Sequence, residues 1–334
     1  MKALAPVALT AGLALAALLA SPGAFAQAGA RVEIIEHAVP WENTRPRDPA
    51  VAGNGEIWLV GQAGDYVAAF DPAGQSFSKS DLPEGTGPHN LVMADDGYPW
   101  IAGNKAGWIA RLNPNTGELR RFALPEGVRD PHTLVFNRRG ELWFTAEWSN
   151  VVGRLDPGSG VIDTVTLPVA KSRPYGIRIA PGGRVWVALL GTNALAGIDP
   201  ETLEPTLIVL PREEARLRRL AVTSDGAIWY TDYNGGYLGR YTPETGVIDE
   251  WKTPTERSGP YALAEDRDDR VWFVETRAEP NLLVGFDPAT EEFFSVTPIP
   301  SGGGAVRHMV YDIRRHSLWF GTDTNTLAEA RLPP

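Results

Sequence analysis

Short apolar runs alternate with polar turns along nearly the whole chain, and the alternation repeats about every 43 residues. Each unit contains four runs of strand length, such as residues 91–94, separated by turns rich in Gly, Asp and Pro, such as residues 156–160. Four strand signals per unit at this period are typical of a β-propeller blade. The sequence therefore predicts an all-β propeller of seven blades, each with four antiparallel strands. A tryptophan marks the second run of every unit: Trp58, Trp100, Trp143, Trp186, Trp229, Trp272 and Trp319.

The last unit contains only three runs, and the missing fourth run is found at the start of the chain. Residues 32–40 have the same apolar pattern and the same final proline as the fourth runs of the other units. We therefore expect the N-terminal strand to complete the last blade and close the ring, which removes two exposed sheet edges. The fourth runs of units one to six are residues 77–82, 119–124, 162–167, 206–210, 248–253 and 293–298.

The first 26 residues differ from the repeats. Lys2 precedes an apolar stretch at residues 5–20, and Ala24-Phe25-Ala26 is a small-residue cleavage pattern. Such a segment is typical of a secretory signal peptide. We predict a signal peptide at residues 1–26 and a single propeller domain at residues 27–334. We expect the protein to be periplasmic or secreted, with no membrane insertion after signal removal.

Charge and composition narrow the range of partners. The formal net charge is −10, and no basic stripe is visible, so nucleic acid is not an expected partner. The chain contains no Cys, so neither a disulfide nor a lipidated cysteine is available.

We expect the tryptophans to pack between neighbouring blades, because large aromatic side chains dominate such burial. For the oligomeric state we expect a monomer.

One polar position recurs eleven residues before each tryptophan, at the predicted start of the innermost strand of every blade. A purely structural position would carry small or aliphatic residues, whereas His, Tyr and Arg side chains suit a polar binding site. We call these seven residues the channel ring: Arg47, His89, His132, Tyr175, Arg218, Tyr261 and His308.

The third unit adds carboxylates to this ring. A hairpin centred on Arg139-Gly140 would place His132 opposite Glu147, with Asp130 at the same end. Carboxylate oxygens suit a hard cation such as Mg²⁺ or Ca²⁺, and a neutral imidazole beside them suits general base catalysis. The alternative is an ion pair or a hydrogen-bonded hairpin end that only fixes the loop.

Several segments resemble the virginiamycin B lyases (streptogramin B lyases), a family of seven-bladed propellers. They are residues 87–89, 130–132, 142–147 and 174–177, and the resemblance extends through the repeat over the mature chain. It implies that His132 is the catalytic base, that Glu147 and Asp130 bind Mg²⁺ or another divalent cation, and that His89 and Tyr175 contact the substrate. Asp130 stands where the family has Glu.

The resemblance implies metal-assisted elimination at an ester of a cyclic depsipeptide or a related lactone. Two alternatives remain open at this point. A metal-dependent lactone hydrolase would give a product one water heavier. A non-catalytic periplasmic binding or scaffold propeller would be indifferent to metal, since a fold does not determine a function.

Overall fold

The structure is a computed structural model that describes residues 31–334. Seven four-stranded antiparallel sheets contain all 28 strands of this part of the chain. No helix there is long and apolar enough to cross a membrane. The predicted signal peptide lies outside the described residues, whereas the predicted seven-bladed all-β fold is confirmed.

The two inner strands of each blade pair through short hairpins at one end of the ring. The innermost strands are β2 (Pro46–Val51), β6 (Pro88–Met93), β10 (Pro131–Phe136), β14 (Pro174–Ile179), β18 (Leu217–Val222), β22 (Pro260–Glu265) and β26 (Met309–Asp312). The second strands are β3 (Ile57–Gly61), β7 (Pro99–Gly103), β11 (Leu142–Ala146), β15 (Val185–Leu189), β19 (Ile228–Asp232), β23 (Val271–Glu275) and β27 (Ser317–Gly321).

The two outer strands complete each blade. The third strands are β4 (Tyr66–Asp71), β8 (Trp108–Leu112), β12 (Val151–Leu155), β16 (Ala194–Ile198), β20 (Tyr237–Thr242), β24 (Leu282–Asp287) and β28 (Thr326–Arg331). The outermost strands of blades one to six are β5 (Ser76–Asp81), β9 (Leu119–Ala123), β13 (Ile162–Thr166), β17 (Pro205–Val209), β21 (Val247–Lys252) and β25 (Glu292–Pro298).

The N-terminal strand closes the ring as predicted. Strand β1 (Glu33–Ala38) pairs antiparallel with β28 and forms the outermost strand of blade seven. The pairing runs without interruption from Glu33 opposite Arg331 to Ala38 opposite Thr326. The last blade is therefore built from both ends of the described chain, and the innermost strands of blades seven and one lie side by side.

The seven repeated tryptophans pack between blades, which confirms their predicted structural role. Each is at most 7% exposed and lies in an apolar cluster shared with the following blade. Trp143 of blade three, for example, packs with Ile177 and Val187 of blade four. Trp319 of blade seven packs with Ile57 and other residues of blade one, which continues the same contact across the closure.

Candidate functional site

The channel ring gathers at one end of the central channel, where the innermost strands begin. In six of the seven inner hairpins the register shifts at this end of the strand. In blade three, Pro131 pairs with Ala146 and Leu134 with Phe144, so His132 and Thr133 lie in the irregular step between them. A β-bulge of this kind re-aims side chains locally. The polar side chains of the ring are thereby presented to one another at the channel mouth.

Three aromatic rings of consecutive blades lie in contact along this mouth, each tilted against the next. The ring centroids of His89 and His132 are 3.7 Å apart, and those of His132 and Tyr175 are 4.0 Å apart. The hydroxyl of Tyr175 shares a hydrogen bond with that of Tyr261 across the ring. The residues predicted as base and substrate contacts are therefore brought together.

The hydrogen bond of His89 fixes its tautomer. Its Nδ1 lies 3.2 Å from the main-chain oxygen of His132, and a carbonyl oxygen can only accept. Nδ1 of His89 therefore carries the proton, and Nε2 is left as an acceptor. Burial holds the pKa of His89 well below its usual range, and the Arg47 guanidinium adds to this effect.

A buried polar network fills the channel directly below the ring. Asp48 of blade one accepts hydrogen bonds from the guanidinium of Arg219 of blade five at 2.9 Å and from the Asn90 amide at 3.0 Å. Arg219 also donates to Thr133 Oγ1 at 3.0 Å. Asp48 and Thr133 are fully buried, and Arg219 is 1% exposed. The ion pair thus spans the channel and connects opposite blades.

This network reaches the predicted base. His132 Nδ1 lies 2.8 Å from Thr133 Oγ1, so Nε2 is the ring nitrogen left for a substrate. Burial holds the pKa of His132 well below its usual range, and His89 and Arg219 depress it further. His132 is therefore neutral at physiological pH, the form that a general base requires.

Glu147 lies beside His132, but an arginine shares its carboxylate. Glu147 Oε2 is 3.8 Å from His132 Nε2. Its Oε1 accepts hydrogen bonds from Arg173, including one from Nε at 2.8 Å. Burial raises the pKa of the Glu147 carboxyl, although Arg173 acts in the opposite direction. The guanidinium of Arg173 also lies 4.2 Å from the ring centre of Trp148, a side chain that is 65% exposed.

Asp130 is used to shape the loop after β11. Its Oδ2 accepts from the main-chain nitrogen of Trp148 at 2.7 Å, and its Oδ1 accepts from Ser149 Oγ at 2.8 Å. Burial raises the pKa of Asp130, whereas these hydrogen bonds lower it. Both carboxylate oxygens are therefore engaged by the loop that carries Trp148.

The two carboxylates, as arranged, do not fit a divalent ion. A cation needs several free oxygens, whereas a guanidinium occupies one side of Glu147 and loop donors occupy Asp130. Within residues 31–334 no group of three or more His, Cys, Asp and Glu side chains is placed to hold a metal. The Mg²⁺ ion expected from the sequence thus stays a prediction, without a formed ligand set among these residues.

The predicted strand register around His132 is wrong, although the predicted proximity to Glu147 is confirmed. The turn is one residue longer than assumed, since Asn137 pairs with Glu141 around Arg138, Arg139 and Gly140. The bulge then offsets the strands once more. The prediction counted residues along a regular ladder, which this hairpin does not have. Glu147 is nevertheless close to His132, because its side chain is long and flexible enough to reach the imidazole.

Three residues of this site were not predicted from the sequence: Asp48, Arg173 and Arg219. Asp48 and Arg219 directly follow members of the channel ring, where a charge inside an innermost strand is unusual. That position was the available signal for both. Arg173 precedes the Pro174-Tyr175 pair, and nothing in its sequence context shows that it reaches Glu147.

Fold and site together define a seven-bladed β-propeller with a histidine-containing polar site at one end of its channel. The sequence matches the model of the Virginiamycin B lyase family over residues 2–198. The chain belongs to that family.

Solved structures are similar to this chain over nearly its whole length. They include virginiamycin B lyase from Staphylococcus aureus, with 22% identity and a TM-score of 0.83, covering 91% of this chain and 100% of that one. A streptogramin B lyase has 20% identity and a TM-score of 0.83, covering 90% and 98%. A catalytically inactive variant of the S. aureus enzyme with quinupristin has 22% identity, a TM-score of 0.83 and coverage of 91% and 100%. At these identities the likeness shows the fold alone. No curated protein matches the sequence significantly.

Proposed function

We propose that this protein is a ring-opening carbon–oxygen lyase that acts on an ester inside a cyclic depsipeptide or a related lactone. The observation that carries the proposal is the buried, neutral His132, whose Nε2 lies 3.8 Å from Glu147 at the channel mouth. Family membership supports the reaction class. The neighbouring His89 and Tyr175 supply polar atoms around the same imidazole.

In the proposed reaction His132 Nε2 takes a proton from the carbon next to the one that bears the ester oxygen. The electrons of that C–H bond form a C=C bond, the alkyl C–O bond breaks, and its electron pair leaves on the carboxylate. The product therefore has the mass of the substrate. A positioned base typically contributes about 10²- to 10⁴-fold to the rate of such a step.

The residues around His132 have distinct proposed roles. Thr133 holds Nδ1 and so sets the orientation of the ring. Glu147 lies close enough to stabilise the imidazolium that forms when Nε2 accepts the proton. His89, whose Nε2 is an acceptor, and Tyr175, whose hydroxyl bonds to Tyr261, orient the substrate.

The test is mass spectrometry with chromatography on quinupristin incubated with the protein. We expect a new species of unchanged mass from the wild type and a loss of about 10²-fold or more in His132→Ala. His37→Asn on the outer strand of blade seven is the matched control and keeps full turnover. A product one water heavier would indicate a lactone hydrolase, and unchanged substrate would indicate another ester or a binding propeller. Full turnover by His132→Ala would refute the assignment of the base.

A second arm of the same experiment addresses the metal. Turnover is compared with added Mg²⁺ and after treatment with a chelator. Loss of turnover on chelation, restored by Mg²⁺, would support the predicted ion and would require Arg173 to release Glu147. Turnover that survives chelation would indicate that the side chains of the site catalyse the reaction without a metal ion.

A further inference from the structure

A cavity of about 410 Å³ opens beside the site, at the same end of the channel as His132. Its charged lining is entirely cationic and comes from the loops and strand ends of blades four to six. A second cavity of about 550 Å³ lies at the opposite end, where the inner hairpins turn, and includes Arg178 and Glu265. The first cavity, which we call the cationic pocket, is lined by Lys171, Arg173, Arg216, Arg218 and Arg277 together with Tyr233.

Most of these charges have no acidic partner. Among the ion pairs of residues 31–334, only Arg173 of this set takes part, through Glu147. The side chain of Arg216 donates to the main-chain oxygens of Glu213 and Ala215, which carry no net charge. The Nε of Arg218 is buried and has no hydrogen-bond partner in the same part of the chain. Buried donors are normally satisfied, so this Nε is an exception, although the same guanidinium also hydrogen-bonds to Tyr175.

Aromatic rings hold the like charges in place. The guanidinium of Arg218 lies 4.5 Å from the ring centre of Tyr233 and 4.7 Å from that of Tyr261. Arg277 lies 4.3 Å from the ring centre of Tyr233 on the same pocket wall. Such contacts offset part of the repulsion between neighbouring cations. The arginines are therefore held in a defined arrangement. Their local positive charge contrasts with the formal net charge of the chain, which is −10.

We infer that the cationic pocket binds carboxylate groups of a small organic anion, and that the ester acted on at His132 belongs to such a molecule. The inference rests on the proposed function for its second half only. Arginine forks pair with carboxylates through two parallel hydrogen bonds, and a cavity of this volume suits a small molecule. A local cluster attracts a small anion at short range, whereas the acidic molecule as a whole repels an extended polyanion.

Arg173 connects the pocket to the chemistry. Its guanidinium lines the cationic pocket and also bonds to Glu147, which faces His132. An anion held by Arg173 and Arg218 is therefore placed next to the imidazole of His132. The substrate class that follows is a lactone or depsipeptide ester with at least one free carboxylate near the ester.

The test measures binding of citrate by calorimetry at constant ionic strength, with the neutral trimethyl ester of citrate as the matched ligand. We expect citrate to bind at least about tenfold more tightly than its ester, because only citrate carries carboxylates for the arginines to bind. A tenfold difference in affinity corresponds to about 1.4 kcal/mol. The Arg216→Gln/Arg277→Gln double variant should lose at least tenfold in citrate affinity. Arg120→Gln, an exposed arginine on the outermost strand of blade two, should bind citrate as the wild type does.

The inference is overturned if citrate and its ester bind equally, or if the Arg216→Gln/Arg277→Gln variant binds citrate like the wild type while a thermal melt shows it folded. Inorganic phosphate that binds when citrate does not would also overturn the carboxylate assignment. Binding needs no turnover, so it separates the two proposals. Citrate binding without turnover of quinupristin would support the cationic pocket and exclude quinupristin as a substrate. Turnover of quinupristin without citrate binding would support the lyase reaction and exclude carboxylate binding in the pocket.

Discussion

Replacing Asp48 by Asn should destabilise the whole ring, because this carboxylate pairs with two buried guanidiniums. Asp48 accepts from Arg47 Nε and from the Arg219 guanidinium, both at 2.9 Å, and also from Asn90. The two arginines hold its pKa well below the usual range despite full burial. Asn keeps the shape of the side chain but removes the charge and turns one acceptor into a donor.

The magnitude follows from leaving buried charge uncompensated. Breaking a buried ion pair by removing one partner costs about 3–5 kcal/mol. For a domain of roughly 300 residues, the unfolding entropy implies a shift of about 1.6 °C per kcal/mol. The melting temperature should therefore fall by about 5–8 °C. The pH dependence has a defined sign, since a depressed carboxyl pKa gives stability that is present above the ordinary value. It is lost only as the pH falls through the folded pKa.

The assay is thermal and denaturant unfolding of Asp48→Asn, Arg219→Met and the double variant. Asp81→Asn, an exposed carboxylate on β5, is the control and should change stability by less than about 0.5 kcal/mol. Removing both charges should cost less than the two single losses together, by at least about 1 kcal/mol. A cost of less than about 1 kcal/mol for Asp48→Asn, or additive effects of the two substitutions, would show that this ion pair does not hold the ring together.

Three further predictions concern closure, packing and pH. Deleting the chain through Ala38 removes β1 and should lower the melting temperature of the whole ring in one transition, whereas separate loss of blade seven would contradict the closure argument. Gly176→Ala should destabilise by more than about 1 kcal/mol, because its Cβ would lie 2.6 Å from the main-chain oxygen of Arg218; Gly182→Ala, with nothing within 4 Å, should be neutral. The lowered pKa of His132 predicts that kcat/KM stays level down to pH 6.5 and falls only below it, so an acidic limb above pH 6.5 would exclude His132 as the base.

The repeat could be predicted from the sequence because each blade copies the same local pattern. The position of β1 followed from counting fourth strands, and the packing of Trp143 and Trp319 followed from their size and period. Each of these inferences depends on regular spacing. The ring of polar residues at the channel mouth was visible for the same reason.

The charge arrangement at the site could not be predicted in the same way. Bulges set the direction of His132, and a bulge is a local departure from the ladder that counting presumes. The bond between Arg173 and Glu147 joins two loops of neighbouring blades through a long, flexible side chain. Asp48 and Arg219 are 171 residues apart and meet only because the ring brings blades one and five face to face across the channel. Such contacts depend on side-chain reach and on global geometry.

The network of Asp48, Arg219 and Thr133 lies across the central channel below His132. All three side chains are at most 1% exposed, so the space that they occupy is closely packed. A molecule that enters beside His132 meets this network, so the opening at the mouth is its direct way out. In the proposed reaction, substrate and product would therefore compete for the mouth, and a molecule bound there would block the entry of one and the exit of the other. The cavity at the far end has other lining residues, so a molecule bound there would not occupy the mouth beside His132.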